Sequence, residues 1–261
     1  MKTLFLLLTV ATISFAQDDP ELKPFVLKGF TISQIATGDL NADGKPDKIV
    51  VLDFESEEKR EENRPLLILL RGANGKLSLT KKINTALLCQ SCGGTMGDPL
   101  QEIEVEKNGF AISYYGGSSW RWGMSYRFRY DAALKTWVLY QYNDVTTRPA
   151  FAEDSKEAQE EGVVEEDFTI PEAELLAKTP IDQFDSENFP ATDKGAKWLI
   201  TAPKARFYAQ PNATNLKKAY LLKGDEVAVY QLTKNFVRAT YTNKAGRSTS
   251  GFLLRKELIK K

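Results

Sequence analysis

Residues 38–52 read GDLNADGKPDKIVVL, an oxygen-rich loop that runs directly into an apolar strand pattern. Side-chain oxygens recur at every second position around Gly44, whose freedom to turn sharply lets them converge on one hard cation. The spacing predicts a calcium loop, and the alternative is an Asp/Asn/Gly-rich hairpin turn without metal. The predicted ligands are the side chains of Asp39, Asn41, Asp43 and Asp47 and the backbone carbonyl of Lys45.

The loop departs from an EF-hand. The twelfth position, where an EF-hand has a bidentate Glu, is Val50, and a strand pattern follows in place of a second helix. The D-x-N-x-D-G-x-x-D spacing before an apolar strand resembles the calcium loops of FG-GAP and VCBS repeats. This resemblance covers only the loop and its strand, and it implies a calcium-stabilised β module without implying an enzymatic activity.

The N-terminus has the pattern of a secretory signal. Lys2 precedes a short apolar run over 4–10, and Ser14 and Ala16 supply a small-x-small cleavage site. That run is too short to span a bilayer, and no later segment is apolar enough to do so. We expect residues 1–16 to be removed and the mature protein to be periplasmic or secreted, without a membrane span.

The chain has no histidine among its 261 residues. Ser-His-Asp and Cys-His catalytic machinery and His-bound zinc are therefore excluded. The carboxylates show no spacing that is typical of a catalytic pair. We interpret the protein as a binding protein and assign it no catalytic residue.

Cys89 and Cys92 are the two cysteines of the chain, and they lie in the sequence Cys-Gln-Ser-Cys. Export favours oxidation, so this spacing predicts a local disulfide. A thioredoxin-type redox pair is an alternative, but it needs a following helix, and the Gly-rich residues 93–97 indicate a loop. Zinc is the weakest alternative, because two thiolates cannot complete a four-ligand structural site.

Charge divides the mature chain into three zones. Residues 17–152 are balanced, with 17 basic and 18 acidic side chains. Residues 153–193 carry 14 acidic side chains against Lys156 and Lys178 and are broken by prolines, which predicts an acidic linker. Residues 194–261 carry 15 basic and 3 acidic side chains. We therefore expect the first and third zones to fold as separate modules.

The first zone reads as two β meanders, so we expect an all-β chain. Alternating or apolar runs predict strands over 30–36, 47–53, 65–71, 76–82, 101–107, 110–115, 120–130 and 136–142. Asn108-Gly109 is a strong hairpin signal. Two such meanders resemble propeller blades, but two blades cannot close a propeller, so we expect two packed sheets or a partly open barrel.

Aromatic residues alternate over 120–130, beginning with Trp120 and Trp122. This alternation is compatible with a carbohydrate-binding platform. Packing within the core and across neighbouring strands is the favoured interpretation, because alternate residues of a strand share one face.

The basic zone, residues 194–261, resembles the bacterial SH3-like domain. The resemblance rests on an initial strand with aromatics at 204–208, the Lys-Gly-Asp-Glu-Val turn at 223–227, the strand FVRATY at 236–241 and the Gly-Phe-Leu-Leu sequence at 251–254. The family usually has Gly-Trp where this chain has Gly251-Phe252. The resemblance implies a small barrel whose ligand groove is lined by Tyr208, Tyr230, Phe236, Tyr241 and Phe252.

The function expected from the sequence is binding in the bacterial cell envelope. The SH3-like resemblance implies an envelope peptide, peptidoglycan or a protein as the partner. The excess of positive charge favours either an anionic polymer or the chain's own acidic segment. Nucleic acid is not expected, because the protein is exported and has no stacking motif. An inhibitor of lysozyme-like hydrolases, with the 89–97 loop as a plug, is the alternative.

Overall fold

The protein is an all-β chain of three antiparallel sheets, as the sequence predicted. The structure is a computed structural model that describes residues 19–152, 154, 156–175, 177–189 and 192–261. The predicted signal sequence, residues 1–16, lies outside the described residues. Within the described ranges, no helix is both long and apolar enough to cross a membrane.

The N-terminal sheet is a meander of β1 (Phe30–Gly38), β2 (Asp47–Phe54), β3 (Leu66–Arg71) and β4 (Leu77–Ile83). Strand β2 is apolar at consecutive positions because both of its faces are buried. Its odd-numbered residues, such as Ile49, face a core that the first two sheets share. Its even-numbered residues, such as Val50, pack with Leu22 under the N-terminal segment.

The central sheet is a meander of β5 (Leu100–Glu106), β6 (Gly109–Gly117), β7 (Arg121–Asp131), β8 (Thr136–Pro149) and β9 (Val163–Pro171). All eight strands predicted for the first zone are confirmed. Asn108 has a φ of +60° at the β5–β6 turn, as a tight hairpin requires. The helix α1 (Lys156–Glu161) and 3-10 turns such as Ile181–Gln183 are short additions.

The acidic segment is more ordered than the linker prediction supposed. Strand β9 pairs with β8 along its whole length, from Gln141↔Pro171 to Pro149↔Val163. Phe168, Ile170, Ile181 and Phe184 are each at most 2% exposed. The linker interpretation is corrected for this part of the segment, because alternating apolar residues within the acidic run supply a strand face.

The N-terminal and central sheets pack against each other, in agreement with the expected pair of packed sheets. Their shared core contains Leu66 and Ile68 from the first sheet and Phe110, Phe128 and Trp137 from the second, all fully buried. The backbones approach closely at the end of β1. A Cβ on Gly38 would lie 2.5 Å from Val105 Cγ1, so a larger residue there would force β1 and β5 apart.

The C-terminal sheet has seven strands in the order β12-β11-β15-β14-β13-β10-β16. The strands are β10 (Thr192–Ile200), β11 (Lys204–Tyr208), β12 (Leu216–Leu222), β13 (Glu226–Leu232), β14 (Phe236–Thr242), β15 (Ser248–Leu254) and β16 (Leu258–Lys260). One face encloses a second core that includes Phe207, Val229 and Leu253. Three aromatic residues of this sheet belong instead to the core of the first two sheets.

Candidate functional site

The predicted calcium loop joins β1 to β2, and its backbone turns twice through the left-handed region. Ala42 has a φ of +67° and Gly44 a φ of +78°. A side chain at Gly44 would strain this turn, which explains the glycine there. The loop therefore curls its carboxylates inward over a short stretch of chain.

Three of the five predicted ligands come together. Asp39, Asp43 and Asp47 each offer a carboxylate oxygen, and these oxygens all lie within 4.8 Å of one another. Two oxygens bound to one Ca²⁺ at 2.3–2.6 Å can be at most about 5 Å apart. The spacing and the all-oxygen donor set therefore fit a calcium ion.

Backbone amides hold these carboxylates in place. Asp39 Oδ1 accepts hydrogen bonds from the amides of Asn41 and Asp43 at 3.3 and 3.1 Å, and Asp39 Oδ2 accepts one from Gly44 at 2.9 Å. The oxygens of the other two predicted ligands accept hydrogen bonds within the same loop. Asn41 Oδ1 accepts the Asp43 amide at 3.1 Å, and the Lys45 carbonyl accepts the Asp47 amide at 3.1 Å.

Asp47 is the buried end of the cluster, with no exposed surface. Its carboxylate accepts the amides of Leu40 at 3.1 Å and of Arg71 at 2.8 Å. Burial raises the pKa of Asp47, and the charges of Asp43 and Asp39 act in the same direction. A cation bound between the three carboxylates would offset the repulsion among their negative charges.

The loop is fastened to both sheets by residues that the sequence analysis did not identify. Trp137 on β8 is fully buried, and its Nε1 donates to the Leu40 carbonyl at 2.8 Å. Arg71 at the end of β3 donates from Nε to the Pro46 carbonyl at 2.9 Å. These contacts connect residues far apart in sequence, so no local motif reveals them.

Cys89 and Cys92 form the predicted disulfide, with their Cα atoms 5.2 Å apart. The loop that follows is attached to the β6–β7 turn. Gly117 N donates to Gly93 O at 2.8 Å, and Thr95 Oγ1 donates to Gly117 O at 2.8 Å. The disulfide therefore helps to fix the 93–97 loop beside that turn.

Exposed apolar side chains gather around this junction, which we call the tip. Met96 is 50% exposed, Trp120 60% and Phe151 44%. The Arg148 guanidinium lies 5.9 Å from the centre of the Trp120 ring and 5.4 Å from that of Phe151. Trp120 is thus not part of the core, unlike Tyr126 and Phe128, which are fully buried as expected.

Cys89 and Cys92 are expected to be fully oxidised in the purified protein, and their disulfide is expected to contribute little to the stability of the fold. The bridge closes a very short loop and therefore constrains the unfolded chain little, so it contributes at most about 2–3 kcal/mol. Mass spectrometry of the purified protein after alkylation without reductant should find no modified cysteine. Two alkylated cysteines would contradict the prediction.

The aromatic residues predicted to line a ligand groove do not form one open groove, which corrects that prediction. Tyr208, Phe236 and Phe252 are at most 9% exposed and join the core of the first two sheets. Phe168 of β9 packs edge-on against Phe252, with ring centroids 5.2 Å apart. Tyr230 is 47% exposed. Tyr241 is half-buried against the second core.

The acidic segment clamps the C-terminal sheet through polar contacts as well. The Glu174 carboxylate is 9% exposed and accepts hydrogen bonds from the Thr233 hydroxyl at 3.1 Å and the Asn235 amide at 3.0 Å. Arg238 donates to Glu166 at 2.8 Å. These contacts match the expectation that the basic zone docks on the chain's own acidic segment.

One basic surface stays open, and we call it the β11–β12 face. Lys204 and Arg206 on β11 and Lys218 and Tyr220 on β12 all point to solvent. The Lys204 ammonium lies 4.0 Å from the centre of the Tyr220 ring. Within the part of the chain that the structure describes, no acidic side chain pairs with any of these three cations.

No protein-family model, curated protein or solved structure matches this chain. The resemblances to FG-GAP or VCBS loops and to SH3-like domains therefore stay predictions.

Proposed function

We propose that the protein is an exported, non-enzymatic binding protein of the bacterial cell envelope. In this proposal calcium stabilises the loop between β1 and β2, and the C-terminal sheet contacts a peptide or a wall component. The signal pattern at residues 1–16 supports the location. The absence of histidine from the sequence supports a binding role over the hydrolytic triads that need it.

The observation that carries the proposal is the open β11–β12 face. The aromatic side chains of the C-terminal sheet that face the acidic segment are buried, so they are closed to an external ligand. The β11–β12 face combines unpaired cations with an exposed tyrosine. Envelope polymers and their peptides carry carboxylates and phosphates, and cations attract such groups over long range.

The mature protein is expected to sediment with purified peptidoglycan at low salt, and the double variant Lys204→Glu/Arg206→Glu should lose most of this binding. Reversal of two charges replaces attraction with repulsion at the face. The matched control is Lys234→Glu/Lys256→Glu, because these two exposed lysines lie away from that face, in the β13–β14 turn and in the 3-10 turn before β16. Equal binding by both double variants would assign any affinity to net charge and would refute the β11–β12 face as the contact.

Calcium is the cation that we assign to the loop, because every converging donor is an oxygen and the spacing of the loop resembles that of known calcium loops. The loop lies between two sheets. Trp137 of the central sheet donates a hydrogen bond to the Leu40 carbonyl, and Asp47 is the first residue of β2 in the N-terminal sheet. A cation bound to Asp39, Asp43 and Asp47 would therefore stabilise the junction of the sheets. Its contribution in this proposal is structural.

Addition of calcium is expected to raise the melting temperature of the mature protein, and Asp43→Ala should abolish the rise. An ion that binds the native state alone stabilises it by about 2.7 kcal/mol at 100 times the dissociation constant. Differential scanning calorimetry in chelator and in millimolar calcium measures the effect. Asn74→Ala, in the turn between β3 and β4, is the control and should keep the full rise. A parent protein that melts at the same temperature in both buffers would rule out the calcium site.

A second candidate function is favoured by the tip. The hydrogen bonds from Gly117 and Thr95 hold the disulfide-linked loop beside Trp120, so the predicted plug is a composite of two loops. Exposed tryptophan and methionine are typical anchors of protein interfaces, whereas Arg148 is held by an ion pair with Asp154 at 2.7 Å. An inhibitor of a lysozyme-like hydrolase would insert this tip into the cleft of the enzyme.

The inhibitor function is tested by lysozyme activity in the presence of the mature protein. Inhibition that disappears in Trp120→Ser but persists in Lys204→Glu/Arg206→Glu would favour the tip. Binding to peptidoglycan without inhibition would favour the envelope-binding function. The two variants change different surfaces, so one pair of assays separates the candidates.

A further inference from the structure

Strand β12 is the exposed edge of the C-terminal sheet. It pairs with β11 on one side, in register from Lys204↔Leu222 to Tyr208↔Leu216, and no described strand pairs with its other side. A strand in this position presents backbone N–H and C=O groups that can template another strand. Leu222 already bonds to Asp225 through its N–H and its carbonyl, which leaves residues 216–221 of β12 to pair with an extended peptide.

The opposite edge of the same sheet is far less available. Strand β16 has three residues, Leu258–Lys260. The chain beside it is held by ion pairs, because Glu226 contacts both Lys197 at 2.7 Å and Lys261 at 2.9 Å. Short, charged edges are a usual protection against unwanted strand pairing. Strand β12 is longer than β16, and its two lysines, Lys217 and Lys218, form no ion pair with a described carboxylate, so it is the more available edge.

The outward side chains of β12 are mostly apolar. Leu216 is 49% exposed, Tyr220 52% and Leu222 53%, and they alternate along one face of the strand. A long edge strand with exposed apolar residues is an aggregation hazard unless a partner covers it. A strand added beside β12 would flank these three side chains and reduce their exposure.

The charges around this edge favour a partner with negative charge. Lys218 lies on β12 itself, Lys204 and Arg206 lie on the adjacent strand, and Lys223 follows β12 directly. Among the described residues, no carboxylate forms an ion pair with these four side chains, whereas Lys197 and Lys261 have Glu226. Complementary charge is how interfaces discriminate between partners, so this edge fits an acidic segment.

We propose that β12 binds an extended acidic polypeptide segment, which adds to the C-terminal sheet as an eighth strand. Its acidic residues would lie on the face shared with Lys204, Arg206 and Lys218, and its alternate apolar residues would lie on the opposite face, beside Ala219. Backbone hydrogen bonds supply affinity in this mode of recognition, and side chains supply selectivity. The inference rests on the proposed binding function and names the partner as a polypeptide.

The test uses the intact mature protein and a fluorescent octapeptide of alternating Glu and Val. Two N-methylated versions are made, one methylated on every Glu and one on every Val. Successive amides of a strand point in opposite directions, so only one version loses its hydrogen bonds to β12. We expect that version to bind about tenfold more weakly or worse, and the other to bind like the parent peptide. The matching Lys/Val peptide should not bind.

Equal binding of the parent peptide and both methylated peptides would overturn the strand-pairing proposal and indicate a general polyanion site. No binding of the parent peptide would also overturn it. Arg206→Glu/Lys218→Glu should weaken binding of the peptide, whereas the control Lys234→Glu/Lys256→Glu should not. Hydrogen exchange of the backbone amides of β12 should be slower in the complex than in the free protein. The peptidoglycan assay tests the proposed function separately. If the protein sediments with peptidoglycan but does not bind the peptide, only the strand-pairing inference is rejected. If it binds the peptide but does not sediment with peptidoglycan, only the envelope function is rejected.

Discussion

A fragment that begins at Lys194 is expected to be unfolded or aggregated, although it contains nearly all of the C-terminal sheet. Tyr208, Phe236 and Phe252 are buried against the core of the first two sheets, and the fragment would expose them. Burial of each such side chain contributes about 1.5–3 kcal/mol. The combined loss of about 5 kcal/mol or more is comparable with the total stability of a small domain. Circular dichroism and thermal melting of the purified fragment measure this.

The matched fragment begins at Val163 and retains β9 and the Glu174 clamp. It should be more stable than the shorter fragment. Phe168 packs over Phe252, and the Glu174 carboxylate accepts hydrogen bonds from Thr233 and Asn235. A shorter fragment that melts cooperatively, at the same temperature as the longer one, would show that the C-terminal sheet is autonomous. That result would restore the separate modules expected from the charge pattern.

Arg64→Met is expected to destabilise the fold strongly, because it removes a buried cation from between two carboxylates. Arg64 is 1% exposed, and its Nη1 lies 2.8 Å from both Asp53 Oδ1 and Asp98 Oδ2. Its Nε donates to the Leu88 carbonyl at 3.2 Å. Removal of one partner from a buried ion pair typically costs about 3–5 kcal/mol, because the remaining charges lose their compensation. Asp98 is partly exposed, so we expect the lower end of this range.

Urea unfolding of the parent and variant proteins measures the change. Arg60→Met is the control, because Arg60 pairs with the exposed Glu57 at 2.9 Å on the surface, and its removal should leave the midpoint unchanged. The double variant Arg64→Met/Asp98→Asn should recover part of the loss by removing one orphaned charge. Equal midpoints for Arg64→Met and Arg60→Met would contradict the role of Arg64 as the link between β2 and the segment after the disulfide.

The sequence predicted most of the fold because its signals there are local. Alternation over 110–115 and the Asn108-Gly109 turn place a hairpin without reference to the rest of the chain. The loop at 38–47 is similar, since its turn and the spacing of its oxygens are set within ten residues. The convergence of Asp39, Asp43 and Asp47 was therefore predictable, and the disulfide was predictable from its spacing.

The errors arose where burial depends on distant residues. Composition made 153–193 look like a linker, but Phe168 and Ile170 alternate with polar residues and pair with β8. The groove prediction failed for the same reason, because Phe252 is covered by Phe168 from another sheet. Average charge is a poor guide to a segment whose buried strand residues, Phe168 and Ile170, share one face.

The hydrogen bond from Trp137 to Leu40 has an optical consequence. The indole is fully buried, and its N–H bonds to a carbonyl that lies between Asp39 and Asn41 in the chain. A shift of the loop on entry of a cation would change the polarity around this indole and therefore the emission of Trp137, one of four tryptophans in the chain. In a variant that keeps Trp137 as its single tryptophan, emission would follow occupancy of the loop without a label, at the residue that joins the loop to the central sheet.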